Sequence, residues 1–430
     1  MEELMYYVWQ QRVFNVLTAV DGEKIEILSP GMRNLDAGPD FFNASIKVQG
    51  MTWIGNVEMH VRASDWYRHR HDGDPAYRNV ILHVVLVNDR EVQIGTERPL
   101  LQVLLPLPQT LVAKFRQLTE SGFSSYSAIT CTPRLATVPP IVITDWKTAL
   151  ASERMLQKVH RVADFVESRT KSWQEGFYII LCRSFGTGLN SDVCERLARS
   201  LPYAYLQKHL DQPLQVEALL LGQAGFLEEQ LPATVEYYGR LQAEYRFLRA
   251  KFSLTPLPPG VWKMSKMRPL AAPQRRLATL AALLSARPNL FSQILEAETV
   301  SELSSLLTIP LRGFWAEHYN FTSGAQEVVH PTAQCNGIGR DTVYSLIINA
   351  VVPMLMAYAR WSGEEQIDER ACTLLEALPP ERNRYVEFCS ASGLKATNAY
   401  DTQALLQLYK NYCAPHKCLR CRIGVWLMRH

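Results

Sequence analysis

The chain has 430 residues, 47% of them hydrophobic and 20% charged, with a formal net charge of +3. That length exceeds one ordinary core and predicts two or three domains, while the composition excludes a disordered or fibrous chain. Nine cysteines are too few, and odd in number, for a disulfide framework, so reduced thiols or metal ligands in a reducing cytoplasm are expected.

The opening segment MEELMYYVWQQ carries acids where a secretory leader needs basic residues, and no stretch reads as a bilayer span. A cytoplasmic protein without membrane contact is therefore expected. Apolar spacing predicts a helix from about Glu2 to Leu17. Strand-like runs follow, KIEILSP, FFNASIKV, MTWIGNVEMHV, NVILHVVLV and PLLQVLLPL, separated by Gly, Asp and Asn turn signals. Before the fourth run, the polar stretch SDWYRHRHDGDPAYR reads as a short helix or ordered loop. The order is helix, three strands, helix or loop, strand. After TPRLATVPP the pattern changes to amphipathic helices, as in WKTALASERMLQKVHRVADFVESRT, with apolar residues three and four apart. The Pro-rich LTPLPPG and a basic run from Lys263 to Arg276 interrupt these helices, which then resume to the end. The expected fold class is α+β: an α/β domain over residues 1–135, then an all-α domain over 136–430 that ends in a cysteine-rich tail.

Charge is unevenly spread. Residues 1–110 hold 10 Lys and Arg against 14 Asp and Glu, and the remainder holds 35 against 28. No acid follows Asp401, while Lys410, Lys417, Arg420, Arg422 and Arg429 do. An acidic site beside basic surroundings suits a metal-dependent enzyme acting on a polyanion. A solvated surface of uneven charge is the plainer alternative.

The chemistry concentrates between residues 36 and 85. Gly38-Pro39-Asp40 enters a strand, where proline is tolerated because it need not donate to the ladder. In Gly55-Asn56-Val57-Glu58-Met59-His60, alternation sets Glu58 and His60 on one face and Val57 and Met59 on the other. A hairpin turning near Gln49 to Met51 would bring Asp40 and Glu58 to the same end. Two carboxylates so placed must share a proton or a cation, and oxygen ligands suit Mg²⁺ or Mn²⁺. His60, His69, His71 and His83 lie within 24 residues of one another. His83 shares its side of the strand with Asn79 and Ile81, as a satisfied core histidine would. His69 and His71 flank Arg70 in a connector that also holds Asp65, Asp72 and Asp74. This set reads either as substrate, phosphate or metal contacts beside Asp40 and Glu58, or as a solvated loop. A zinc hydrolase using His and Asp ligands is a competing reading, although no HExxH pair is present. Lys47 lies opposite Ala44 and Ile46 on alternation. Trp53 and Trp66 read as packing residues, with base stacking as the sharper alternative.

Two further groups stand out. Cys413, Cys418 and Cys421, with His416 between them, are candidates for zinc or an iron–sulfur cluster. Cys389, Cys335, His416 and His430 compete for the fourth ligand, and three buried thiols in a terminal helix is the alternative. Lys263, Lys266, Arg268, Arg275 and Arg276 are candidate phosphate contacts or a solvated connection. Asn336-Gly337-Ile338-Gly339-Arg340 reads as a helix start whose amides could face a phosphate.

The Pro39-Asp40 pair followed by Glu58-Met59-His60 across a hairpin resembles the PD-(D/E)XK nuclease superfamily, in which an Asp after proline precedes Glu-x-Lys. That resemblance implies a restriction-endonuclease-like amino-terminal domain. It also implies a divalent metal on Asp40 and Glu58, water activated for attack on a phosphodiester, and nucleic acid as partner. His60 stands where the superfamily has lysine, so it would position water or phosphate rather than supply a fixed charge. A catalytically silent binding module on a nuclease fold is the alternative this departure raises. The blocks GPDFFNA, GNVEMHV, SDW, NVILHVV and the closing CLRCRIG also resemble a large bacterial family of unknown function, which implies no activity.

Overall fold

A computed structural model describes residues 1–14, 17–94, 98–120, 129–167, 172–229, 236–265, 269–322 and 337–430. The chain divides into two compact units, Met1–Trp146 together with Lys410–His430, and Lys147–Tyr409. The division falls later than residue 135, and the cysteine tail belongs to the first unit instead of closing the helical one. Local pattern marks helices but not which core they join. In the first unit Lys114 donates to the Met428 carbonyl at 3.3 Å and Arg420 pairs with Glu3 at 2.8 Å, tying the tail back.

The first unit opens with helix α1 (Glu2–Gln10), which buries Leu4, Met5, Tyr7, Val8 and Trp9. It stops well short of Leu17, because Arg12 takes a positive φ of 49° that breaks the helical path. Strands β1 (Leu17–Thr18), β2 (Lys24–Ser29), β3 (Met32–Arg33), β4 (Phe41–Val48) and β5 (Met51–Arg62) follow. Then come a short helix α2 (Asp65–Arg68) and strand β6 (Val80–Val87). A small ribbon of β7 (Gln93–Ile94) and β8 (Arg98–Pro99) precedes β9 (Gln102–Leu104). The main sheet runs β1-β2-β4-β5-β6-β9, with β3 on the flank of β4. Its β2-β4 and β4-β5 ladders are antiparallel and its β5-β6 and β6-β9 ladders parallel. The element order among the principal strands is therefore helix, three strands, short helix, strand, as the sequence pattern indicates.

Two local features aim this sheet. The β4-β5 hairpin turns on Gln49 and Gly50, at φ 50° and 83°, the left-handed pair that a tight hairpin's twist requires. The register then slips between Phe41↔Val57 and Ala44↔Gly55, so that β4 carries an extra residue at Asn43, whose φ is 55°. This bulge bends the start of β4 toward β5. Where β5 meets β6, a side chain at Gly55 would collide with Ile81 and the Asn79 carbonyl, so only glycine lets the strands close there.

The second unit is helical, and its largest core joins Phe177, Phe185, Leu197, Leu219, Leu241, Leu280, Ile348 and Leu355 with many neighbours. One helical run among the described residues, Arg340–Ser362, has the length and mean hydropathy (1.6) of a bilayer span, contrary to the sequence expectation. Its most apolar window is 72% buried inside the fold, which accounts for the apolarity as core packing.

Candidate functional site

Asp40 leads into β4 and Glu58 sits on β5, and they exchange hydrogen bonds across the strands. The Asp40 amide donates to Glu58 Oε2 at 3.1 Å, and the Met59 amide donates to Asp40 Oδ2 at 3.0 Å. Each carboxylate is thus fixed by the other's strand. The Tyr6 hydroxyl of α1 also hydrogen-bonds Asp40. Burial and then the charge of Glu58 push Asp40 up to about 7, against the hydrogen bonds from Tyr6 and Met59 that favour its charged form. Burial and the same carboxylate push the Tyr6 phenol well above its ordinary value.

Alternation along β5 carries Glu58 and His60 into the same buried environment, at 5% and 2% exposure. His60 Nδ1 lies 2.9 Å from His83 Nε2, and His60 Nε2 lies 3.1 Å from His69 Nδ1. Glu58 Oε1 faces His60 Nε2 at 3.5 Å and His71 Nε2 at 3.4 Å. His69 and His71 reach this point because Arg70 between them adopts φ 64°, reversing the chain after α2 so that both rings turn inward. The His71 ring stacks on Tyr77 at 3.8 Å and on His60 at 5.4 Å between ring centres. The donor nitrogens of His60, His69 and His71 all lie within 4.8 Å of one another, the group of metal-ligating type found among the described residues. Burial pulls His60 down to about 2, reinforced by His83, His71 and His69. It pulls His83 down to about 3, with His71 adding to it. Both rings are neutral at ordinary pH.

His83 is therefore no isolated core histidine but the buried partner of His60, placed by the Glu58↔His83 register of the parallel ladder. Asp65, Asp74 and Asn79 stay outside the cluster. Asp65 accepts the Arg62 amide at 3.3 Å and pairs with Arg68 at 3.1 Å, closing the turn into α2. Asp74 is exposed and caps the following turn through Ala76 N at 2.9 Å. Asn79 is exposed, its carbonyl accepting the Asn56 amide at 2.8 Å. Lys47 pairs with Thr52 near the hairpin tip, at the opposite end of β4 from Asp40. Trp66 is fully buried with Ala63, Tyr77 and Val80 and so packs the core. Tyr6 and Tyr77 escape sequence reading, because nothing in MEELMYYVWQQ or DPAYR distinguishes them from packing aromatics. Arg68, Arg70 and Arg78 are exposed in the same connector as His69 and His71. The RHRH spacing is the available signal for Arg68 and Arg70, and Arg78 has none.

The other candidates separate. The Cys418 thiol donates to the Leu118 carbonyl at 3.6 Å, and burial pushes the Cys421 thiol up to about 11. Among the described residues Cys413, Cys418 and Cys421 do not form a convergent set of three donors. Arg275 is 2% exposed and donates to the Trp315 and His318 carbonyls, which withdraws it from any phosphate. Arg276 donates to Thr342 Oγ1 at 3.2 Å, and burial beside Arg275 pulls it down to about 10. These two are structural cations of the helical unit, because the helix Pro273–Ala286 presents this part of the basic run inward. Lys263 is exposed, whereas Lys266, Arg268, Cys335 and Asn336 lie outside the described residues. Gly339 caps the helix Arg340–Leu346, the helix-start role.

A family model matches residues 2–384, so the polar block lies inside it and the closing CLRCRIG outside. No curated protein and no solved structure gives a significant match. The chain belongs to the family described as Protein of unknown function (DUF2851).

Proposed function

We propose that the first unit is a divalent-metal-dependent phosphodiester hydrolase acting on nucleic acid, a nuclease-like site centred on Asp40, Glu58 and His60. The observation that carries this reading is the reciprocal bonding of Asp40 and Glu58 at the mouth of the β4-β5 pair. The order helix, three strands, helix, strand supports it, as does the antiparallel, antiparallel, parallel ladder sequence through β2, β4, β5 and β6. The donor chemistry fits a cation: a buried Glu58 and a half-buried Asp40 raised to about 7 gather negative charge that a divalent ion would offset. Bound there, such an ion would polarise a phosphoryl oxygen and lower the pKa of water.

The chain's own groups have separate tasks. Asp40, poised near neutrality and held by Tyr6, takes up or releases a proton at working pH. His60, neutral and fixed between His83 and His69, turns its Nε2 toward Glu58 Oε1 at 3.5 Å and brings donor nitrogen rather than positive charge to the site. Exposed Arg68, Arg70 and Arg78 take over the phosphate-neutralising task that a lysine in place of His60 would perform. The test is incubation of the full chain with single- and double-stranded DNA and RNA in Mg²⁺, Mn²⁺, Co²⁺ or Zn²⁺. Cleavage of at least one substrate is expected, abolished by chelator and by Asp40→Ala. No cleavage of any of them, or undiminished cleavage by Asp40→Ala, would contradict the proposal.

A further inference from the structure

We infer that the ion of this site is a first-row transition metal of the zinc type, held by His60 Nε2, His69 Nδ1 and His71 Nε2, with Glu58 Oε1 beside the fourth position, which stays open to water. This deepens the hydrolase reading and rests on it for the site's catalytic use, though not for the binding itself. The argument is geometric. A tetrahedral ion with bonds of roughly 2.0–2.1 Å spaces its donors about 3.3–3.4 Å apart. The donor separations are 3.1 Å for His60 to His69, 3.5 Å for His60 to Glu58 and 3.4 Å for His71 to Glu58. All three imidazole donors lie within 4.8 Å of one another. Glu58 Oε1 borders two of these imidazoles, those of His60 and His71.

Donor type then selects the ion. Mg²⁺ takes oxygen ligands in octahedral geometry and keeps much of its water, whereas imidazole suits Zn²⁺, Co²⁺ and their neighbours. Three convergent imidazoles are a poor magnesium site and a good zinc-type one. The surroundings are built for this role. His60 turns its other nitrogen to His83 at 2.9 Å, the outer hydrogen bond that fixes a ligating imidazole's tautomer. With Nε2 on the ion, His60 Nδ1–H donates to His83 Nε2. His71 is held by Tyr77, whose ring lies 3.8 Å away at 21°. Asp40 stays outside the donor set, bonded to Met59 N, and remains available as the proton-handling carboxylate.

The experiment uses the full chain stripped with chelator and titrated with Co²⁺, read by its visible ligand-field bands and by calorimetry. One equivalent is expected to bind with the intense bands of a four-coordinate site, to be displaced by Zn²⁺ and to resist a large excess of Mg²⁺. His69 is exposed and His71 half-buried, so His69→Ala and His71→Ala keep the fold, which circular dichroism verifies. Each should weaken Co²⁺ by more than the roughly 10–100-fold that loss of an outer partner costs. Absence of stoichiometric binding, equal competition by Mg²⁺, or unchanged affinity in the His69→Ala, His71→Ala double variant would each overturn the inference. Cobalt binding without cleavage of nucleic acid would sink the hydrolase reading and leave the metal site standing. Mg²⁺-supported cleavage without cobalt binding would do the reverse.

Discussion

The two units treat buried polar groups in opposite ways. In the helical unit, unlike groups complement one another, with Arg276 beside Arg275 as the exception. Lys158 donates to the Ile348 carbonyl, to Asn349 Oδ1 and to Gln403 Oε1 at 3.4, 2.9 and 2.8 Å, and Gln403 donates in turn to Glu381. Glu217 accepts Tyr237 and Trp315, and Arg275 spends its charge on carbonyls. In the amino-terminal unit, like groups are gathered: Asp40 against Glu58, and His60 against His69, His71 and His83. Complementary burial is what stability alone favours. Gathering like groups costs stability in the absence of a ligand, the pattern the proposed cation site calls for.

The comparison breaks first on Glu58. Glu58→Gln preserves shape but removes the charge shared by the carboxylate pair and two imidazoles. It should lower metal-dependent cleavage by about 10³-fold, the scale of several kcal/mol of charge stabilisation, measured as initial rates on whichever nucleic acid the wild type cuts. A merely structural Glu58 would leave that rate nearly intact.

Next is the helical counterpart. Arg275→Met leaves the Trp315 and His318 carbonyls unpaired and should destabilise the protein by about 3 kcal/mol in denaturant unfolding, with cleavage per folded molecule unchanged. Asp40→Asn should act in the opposite sense. With Asp40 raised to about 7, its ionised form is unfavourable in the folded state, so at pH 8 the metal-free variant should gain on the order of 2 kcal/mol while losing cleavage. A loss of stability there would show that the carboxylate pair is structural.

The smallest effect is the pH slope of the metal-free protein. Between about pH 4.5 and 6 the unfolded chain carries protons on His60 and His83, whose ordinary value is about 6.5, and the folded protein does not. The folded protein carries one on Asp40 that the unfolded chain has lost. Glu217, pushed up to about 7 by burial, keeps a second, so the two states bind about equal numbers of protons and stability is nearly flat across this window. In Asp40→Asn one opposing proton is gone, and stability should fall with decreasing pH by about 1.4 kcal/mol per unit. Equal slopes in the two proteins would refute the assigned protonation states.

Much of the amino-terminal site was legible because its signals are local. Period-two alternation pairs Glu58 with His60, Gln49-Gly50 marks the hairpin, and the spacing of four histidines is itself a cluster. What alternation could not supply is what long-range pairing creates. His83 looks like a core residue until β6 lies parallel to β5 and sets it beside Glu58. Tyr6 and Tyr77 become site residues only when α1 and the turn before β6 pack on the sheet. The basic run around Arg275 reads as a surface patch because composition does not reveal which side of a helix is buried. The return of the cysteine tail to the first unit has no local signature.

The central claim, that the amino-terminal unit gathers like groups in order to hold a cation, is tested most directly by metal-linked unfolding of the full chain. At a free Zn²⁺ or Co²⁺ concentration of about 100 Kd, the unfolding free energy of the amino-terminal unit should rise by about 2.7 kcal/mol, with most of that gain lost in the His69→Ala, His71→Ala double variant. No stabilisation of the wild type by any divalent ion, or the same gain in the double variant, would contradict the account.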